Sequence, residues 1–151
     1  MNLKYWWLAL SLSACVGCGG AKSDLTFLPV SGVVRLDGQP LADADISAVP
    51  IGTTLGMGGA SRSNANGEFT MSHTRGETGL PPGDYKITVS LRKLPDGTVP
   101  PTNDPTPPMD SNARETLAPQ YSDFSKSTLK LAVVATAIEP VELKLESTQR
   151  R

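Results

Sequence analysis

Very few residues of this chain could take part in catalysis at neutral pH. The 151 residues include one histidine, His73, and two cysteines, Cys15 and Cys18. A serine or cysteine nucleophile needs a neighbouring base, and that base is most often a histidine. His73 lies at the end of a predicted strand, where we expect a solvated side chain without a catalytic role. The sequence therefore predicts no catalytic residues and a protein that is not an enzyme.

Two groups of oxygen-bearing side chains could bind Ca²⁺. They are Asp37, Asp43 and Asp45 in one group, and Asn64, Asn66 and Glu68 in the other. Neither group has the spacing of an EF-hand loop. Aspartate and asparagine are also common in tight turns, because they tolerate the turn backbone and hydrogen-bond to it. We therefore expect these residues to form turns, with no metal ion and no other cofactor.

The two cysteines have the Cys-x-x-Cys spacing of redox motifs, but their surroundings differ from such a site. A redox pair lies between a strand and a helix of a folded domain, whereas Cys15 follows Lys4 and the apolar residues 5–12. A positive charge followed by an apolar stretch too short to span a bilayer is typical of an export signal. Residues 19–23 (GGAKS) have the composition of a flexible tether.

Residues 12–15 (LSAC) resemble the lipobox of bacterial lipoproteins, in which an aliphatic residue and two small ones precede the acylated cysteine. The resemblance implies a signal peptide at residues 1–14, lipid attachment at Cys15, a tether at 15–28 and a location in the bacterial cell envelope. Cys18 is the alternative attachment site, but it lacks an aliphatic residue three places upstream. An ordinary secretory signal, cleaved directly before either cysteine, would instead give a soluble exported protein.

Charge and composition argue against nucleic acid as a partner and favour a β protein. Lys and Arg number 14 and Asp and Glu number 15, which gives a net charge of -1. A surface that binds phosphates needs a clustered excess of basic residues. The chain also contains 14 glycines and 13 prolines, and both residues interrupt helices. We expect many turns, no helix of normal length and no nucleic-acid partner.

The hydrophobic pattern after the tether has the period of two that is typical of half-buried strands. Six segments carry apolar residues in this way: residues 30–36, 44–50, 68–72, 85–93, 128–133 and 141–145. Turn signals separate them, above all Asp-Gly at 37–38 and Asn-Gly at 66–67, which favour tight hairpins. Residues 95–119 contain seven prolines, and we expect a long exposed loop there. The sequence thus predicts an all-β domain at residues 29–147, a β-sandwich of about seven strands.

Several of these segments resemble the carboxypeptidase regulatory-like domain, a transthyretin-like sandwich. They are residues 30–44 (VSGVVRLDGQPLADA), 64–69 (NANGEF) and 80–89 (LPPGDYKITV). Residues 117–123 (LAPQYSD) resemble a segment of small planctomycete lipoproteins that carry this domain. The resemblance implies a Greek-key, prealbumin-like sandwich, although Asn64 stands where the family usually has aspartate.

Domains that share this resemblance act as stabilising, adhesive or carbohydrate-facing modules. We therefore expect a membrane-anchored envelope lipoprotein with a non-catalytic binding or structural module. Its expected partners are the membrane and, as candidates, other envelope proteins or polysaccharide. Two alternatives stay open: a secreted or periplasmic carrier of carbohydrate or Ca²⁺, and a degenerate transthyretin-like hydrolase. Candidate binding surfaces are the Pro-rich residues 105–108 and an open sheet edge.

Overall fold

A computed structural model of the protein describes residues 25–106, 110–135 and 140–147. Within these ranges the chain forms eleven strands and one short helix. The strands are β1 (Ser31–Leu36), β2 (Gln39–Pro40), β3 (Asp45–Pro50), β4 (Gly59–Arg62), β5 (Glu68–Thr70), β6 (Ser72–His73), β7 (Gly83–Ser90), β8 (Arg92–Lys93), β9 (Arg114–Glu115), β10 (Lys130–Val133) and β11 (Val141–Leu145). The helix, α1, spans Pro119–Ser122. The predicted all-β class is therefore confirmed.

The first sheet is built on β1, which pairs with three other strands. β11 runs parallel to it, with Val34 opposite Leu143, while β2 and β5 run antiparallel. A two-residue turn joins β1 to β2, and in it Asp37 and Gly38 have φ angles of 51° and 81°. Aspartate and glycine tolerate this left-handed region better than most residues, so the predicted tight hairpin at 37–38 is confirmed.

The second sheet has the strand order β10-β7-β3-β4-β6. β7, its longest strand, is antiparallel to both neighbours and buries Tyr85, Ile87 and Val89. β3 shows the same alternation and buries Ile46 and Ala48. Successive side chains of a strand point to opposite sides of the sheet, so the apolar residues at every second position share one face.

One hydrophobic cluster receives side chains from both sheets and from α1. The first sheet contributes Val34, Phe69, Leu143 and Leu145, the second contributes Ile46, Ala48, Tyr85, Ile87, Val89 and Val133, and the helix contributes Tyr121. Each of these side chains is buried. The shared interior fixes the two sheets relative to each other, because separating them would expose this apolar surface to water.

The Asn-Gly pair at 66–67 does not form the tight hairpin that the sequence predicted. The turn joins β4 of the second sheet to β5 of the first, and of the pair only Gly67 has a positive φ, 75°. Asn64 shapes the turn: its Oδ1 accepts the N–H groups of Asn66 at 2.9 Å and Glu68 at 3.0 Å, and its Nδ2 donates to the Glu68 carboxylate at 2.9 Å. The prediction was wrong because a local turn signal does not show which sheet the next strand joins.

Only part of the predicted loop at 95–119 is exposed. β9 lies inside this range and pairs with β8, and Ala113 and Leu117 are buried. Glu115 holds this stretch in place, since its Oε1 accepts the N–H groups of Leu91 at 3.0 Å and Leu117 at 2.9 Å. The many prolines predicted a loop over the whole range, so the sequence did not indicate that Ala113 and Leu117 are buried.

Candidate functional site

The predicted lipid-attachment residue Cys15, its alternative Cys18 and the predicted signal peptide at 1–14 lie outside the described residues. Lipid attachment therefore stays a prediction from the sequence. The described structure begins at Leu25, ten residues after Cys15, and so includes the junction at which the chain enters the folded domain.

The segment just before β1 is part of the folded domain. Leu28 forms a bridge with Leu80, in which the N–H of each residue donates to the carbonyl of the other at 2.9 Å. The predicted tether at 15–28 therefore extends too far along the chain. The error has a physical reason: the pairing partner, Leu80, is distant in sequence, so no local pattern indicates the bridge.

One end of the domain surrounds the point where the chain enters it. β3 ends there and β7 begins there, since Pro50 pairs with Tyr85. The residues that form this end are 25–28, the loop 51–58 and the turn 74–79, and we call it the entry end. Backbone hydrogen bonds link these parts. For example, the N–H of Thr74 donates to the carbonyl of Gly58 at 3.2 Å.

His73 is buried at the entry end rather than solvated. The residue is 3% exposed, and its ring packs against Phe27 with centroids 4.9 Å apart and a tilt of 59°. The prediction of a solvated histidine was wrong because Phe27, in the segment assigned to the tether, covers the ring.

The hydrogen bonds of His73 indicate its tautomer and its chemical reach. Its Nδ1 accepts the N–H of Arg75 at 3.3 Å, so a neutral ring carries its proton on Nε2. Nε2 is buried and has no hydrogen-bond partner among the described residues. The carboxylate of Glu77 lies 3.6 Å from Nδ1. A general base must come within hydrogen-bond distance of its substrate. The ring of His73 is buried and packs against Phe27, so its position suits packing and not contact with a substrate.

We expect His73→Ala to lower the free energy of unfolding by about 1–3 kcal/mol, because it removes a buried ring from its contact with Phe27. His73→Phe is the matched control: it keeps a ring there and removes the unpaired Nε2, so its effect should be smaller. Urea unfolding at neutral pH measures both variants. Equal losses would mean that the bond to the Arg75 N–H, rather than ring packing, is the stabilising contact.

The loop 51–58 presents two large apolar side chains to solvent: Leu55 is 68% and Met57 71% exposed. The loop is held from below, since Oγ1 of Thr54 accepts the N–H of Asp84 at 2.8 Å and donates to its carbonyl at 3.0 Å. No motif in the sequence marks Leu55 or Met57 as a functional residue. The available signal was a pair of large apolar residues in a segment with neither strand nor helix periodicity.

Of the six residues considered for Ca²⁺, four use their side chains in contacts within the domain: Asp37, Asp45, Asn64 and Glu68. The two carboxylate oxygens of Asp45 accept hydrogen bonds from Arg62 at 2.7 and 3.0 Å. Asp37, in the β1–β2 hairpin, accepts the N–H of Ser147 at 2.9 Å. Oδ1 of Asn64 and the carboxylate of Glu68 form hydrogen bonds within the turn at 64–68. In the part of the chain that the structure describes, no three His, Cys, Asp or Glu residues are grouped as metal ligands.

Asp37 should make the protein less stable in acid. Hydrogen bonding from Ser147, first its side chain and then its backbone, holds the pKa of Asp37 below the ordinary value. As the pH falls, the unfolded chain takes up a proton first. The stabilisation is therefore present above the ordinary pKa of aspartate and is lost as the pH falls through the lower pKa of the folded protein.

Asp37→Asn should flatten the acid side of the curve of unfolding free energy against pH, measured by urea unfolding between about pH 2 and 7. Asn also tolerates the left-handed backbone at this position. Asp43→Asn is the matched control, because Asp43 is the other described aspartate with a left-handed φ, 57°. Similar flattening in both variants would contradict the role of the Ser147 contact.

A cavity of about 770 Å³ lies at the opposite end of the domain, between Arg62 and the loop after β8. Nη1 of Arg62 donates to the carbonyl of Pro100 and to Oγ1 of Thr102, each at 3.1 Å. The hydrogen-bonded Asp45 carboxylate raises the pKa of Arg62 above its ordinary value. The volume suits a small ligand, although the guanidinium already binds groups of the protein itself.

The two binding surfaces considered from the sequence are only partly described. In the Pro-rich segment, Pro105 and Thr106 are exposed, while residues 107 and 108 lie outside the described ranges. Strand order places β11 at an edge of the first described sheet and β10 at an edge of the second. These two edges are where an added strand could pair.

Within the described ranges, none of the helical structure has the length and apolar character needed to cross a bilayer. Comparison of the chain with protein-family models, with curated proteins and with solved structures gave no match. The role of the protein must therefore be inferred from its own residues and their geometry.

Proposed function

We propose that the protein is a lipid-anchored lipoprotein of the bacterial cell envelope whose β domain is a non-catalytic binding or structural module. The observation that carries the proposal is the motif at 12–15 (LSAC) behind a charged and apolar leader. In this proposal the thiol of Cys15 takes a diacylglyceryl group, and Cys15 becomes the new N-terminus after cleavage. Several acyl chains on one residue give stable anchoring, whereas a single chain binds a membrane only marginally.

The domain itself is proposed to be a Greek-key, transthyretin-like sandwich of the carboxypeptidase regulatory-like type. Two observations support this. The two sheets share one hydrophobic cluster, as the layers of a sandwich do. The segments that carry the resemblance also lie on strands and turns of the domain: residues 30–44 on β1 and its hairpin, 64–69 on the turn into β5, and 80–89 on β7.

A non-catalytic role is supported by how the polar side chains are used. His73, the single imidazole of the chain, packs against Phe27, and Arg62 pairs with Asp45. Both side chains thus make contacts within the domain itself. We propose that other envelope proteins or polysaccharide are bound through exposed surfaces such as the edges of β10 and β11.

Intact-mass and N-terminal peptide analysis of protein extracted from membranes with detergent tests the proposal. The expected result is a peptide that begins at Cys15 and carries the added mass of acyl chains. Recovery of the mature protein from the soluble fraction, without acyl mass on Cys15 or Cys18, would overturn the lipid anchor and indicate an exported soluble protein.

A secreted or periplasmic carrier of a small carbohydrate is the second candidate function, and the cavity of about 770 Å³ beside Arg62 favours it. A ligand that binds only the folded state raises the melting temperature, and the rise continues with the logarithm of ligand concentration once that concentration exceeds Kd. Thermal unfolding with a panel of mono- and oligosaccharides, and with Ca²⁺, tests the carrier. A carrier predicts a rise that depends on ligand concentration, and the absence of a rise with every member of the panel would contradict it.

A further inference from the structure

The most exposed apolar side chains of the described domain lie at its entry end. Five large apolar residues in the described part are exposed: Val49, Leu55, Met57, Phe124 and Val134. Leu55 and Met57 have the largest exposed fractions of the five and share the loop 51–58. Val134 lies at the same end, since the residue before it, Val133, pairs with the start of β7.

The loop that carries these two side chains rests on the interior of the domain. Gly56, between Leu55 and Met57, has a φ of 104°, a left-handed conformation that favours glycine. A Cβ at Gly56 would lie 3.3 Å from Cγ of Pro81 and 3.5 Å from Nε2 of His73. The loop therefore packs through Gly56, and the two apolar neighbours are left on the outside.

The loop carries no ionisable side chain; its sequence is IGTTLGMG. On the neighbouring turn, Arg75 and Glu77 carry charges of opposite sign. Moving a charge out of water is costly, whereas an uncharged apolar segment gains free energy when its surface leaves water. The tip of the entry end thus has the chemistry of a segment that can enter the interfacial layer of a bilayer.

The predicted anchor would hold this loop near a membrane. Leu25 is the tenth residue after Cys15, so the two are at most about 35 Å apart along an extended chain. A Cβ at Gly56 would lie 3.9 Å from Cδ1 of Leu25, so the chain enters the domain beside the loop. A short covalent link gives an effective concentration in the millimolar range. The bilayer is therefore the apolar phase that this loop meets most often.

We infer that Leu55 and Met57 insert into the bilayer that carries the anchor, so that the entry end faces the lipid. The inference rests on the proposed acylation of Cys15. A weak contact is sufficient, because the anchor has already brought the domain to the surface. The hairpin at 37–38 and the cavity beside Arg62 then face away from the membrane, toward whatever the module binds.

A single tryptophan provides the test. Both tryptophans of the chain, Trp6 and Trp7, lie in the predicted signal peptide, so a processed chain starting at Cys15 has none. The Met57→Trp variant is expressed from the full-length sequence, and its processed form is purified. It is then reconstituted into phosphatidylcholine vesicles with and without brominated acyl chains. Gln39→Trp, in β2 at the opposite end, is the matched control. We expect a blue shift and quenching by bromine for Met57→Trp, and neither for Gln39→Trp.

Adding Leu55→Asp to the Met57→Trp variant should abolish the shift and the quenching, because a carboxylate beside the indole opposes insertion. Equal quenching of the two tryptophan variants would overturn the inference. Mass spectrometry of the same samples distinguishes the failures. If Cys15 is acylated but the indole at residue 57 is not quenched, the lipid anchor is supported and only the insertion of the loop is refuted. If the chain carries no acyl mass, both proposals are refuted.

Discussion

Cys15→Ser is expected to abolish the incorporation of fatty acid into the protein, while Cys18→Ser leaves it unchanged. In the proposed anchor the Cys15 thiol is the group that takes the lipid, and a serine hydroxyl is a much weaker nucleophile because so little of it is ionised at neutral pH. Only Cys15 has the aliphatic residue, Leu12, three places upstream. Several acyl chains hold a protein stably on a membrane, and a protein without any acyl chain has no such anchor. The loss of membrane retention in Cys15→Ser should therefore be close to complete.

Labelling cells with an alkyne-tagged palmitate and partitioning the extracted protein between detergent and aqueous phases measures this directly. The wild type and Cys18→Ser should carry the label and enter the detergent phase, and Cys15→Ser should do neither. Label retained in Cys15→Ser but lost in Cys18→Ser would move the attachment site to Cys18. Absence of label from all three proteins would contradict the lipid anchor.

The parts of the fold that the sequence predicted are those governed by local chemistry. The alternation that buries Tyr85, Ile87 and Val89 is visible in the sequence because a strand places every second side chain on one face. The Asp-Gly hairpin at 37–38 is equally local, since it depends on two residues that accept left-handed φ angles. Neither feature requires knowledge of a distant partner.

The parts that the sequence did not predict depend on contacts between distant residues. His73 is buried because Phe27 covers it, and Leu28 is ordered because it pairs with Leu80. Leu117 is buried in the core, although the proline-rich stretch before it contains no pattern that predicts burial. For His73 and Leu28 the residue that decides the environment lies far along the chain, so residue type and spacing do not reveal it.

The candidate site divides in the same way. The LSAC motif could be found in the sequence because the lipobox that it resembles is a run of four neighbouring residues. The exposed pair Leu55 and Met57 could not, because an apolar residue in a loop is compatible with either burial or exposure. Its meaning comes from the position of the loop beside Leu25, where the chain from the predicted anchor enters the domain.

Tyr85→Ala is expected to lower the free energy of unfolding by about 3–5 kcal/mol, the range for removal of a buried aromatic side chain. Tyr85 is 0% exposed and lies in β7, between β10 and β3. The strands on both sides limit how far the surroundings can collapse into the cavity. Small domains are stabilised by only about 5–15 kcal/mol in total, so urea unfolding should show a large shift of the midpoint toward lower concentration.

Tyr85→Phe separates the ring from the hydroxyl, which donates to the carbonyl of Pro81 at 2.7 Å. This variant keeps the ring and leaves a buried acceptor unpaired, so we expect a smaller loss of about 1–3 kcal/mol. Tyr121→Phe is the matched control, since the hydroxyl of Tyr121 accepts the N–H of Glu146 at 3.0 Å. A Tyr85→Phe loss as large as that of Tyr85→Ala would contradict the dominant role of ring burial.

The burial of Tyr85 also predicts how the stability of the protein changes in alkali. Burial raises the pKa of Tyr85 above its ordinary value, because the charged phenolate loses its hydration in the core. Above about pH 10 the unfolded chain releases this proton while the folded chain keeps it, so the unfolded state is favoured as the pH rises. Stability should be fully present below that pH and decline above it, and Tyr85→Phe should weaken the decline. Ionisation of the buried Tyr85 hydroxyl is thus one route by which alkali destabilises the core.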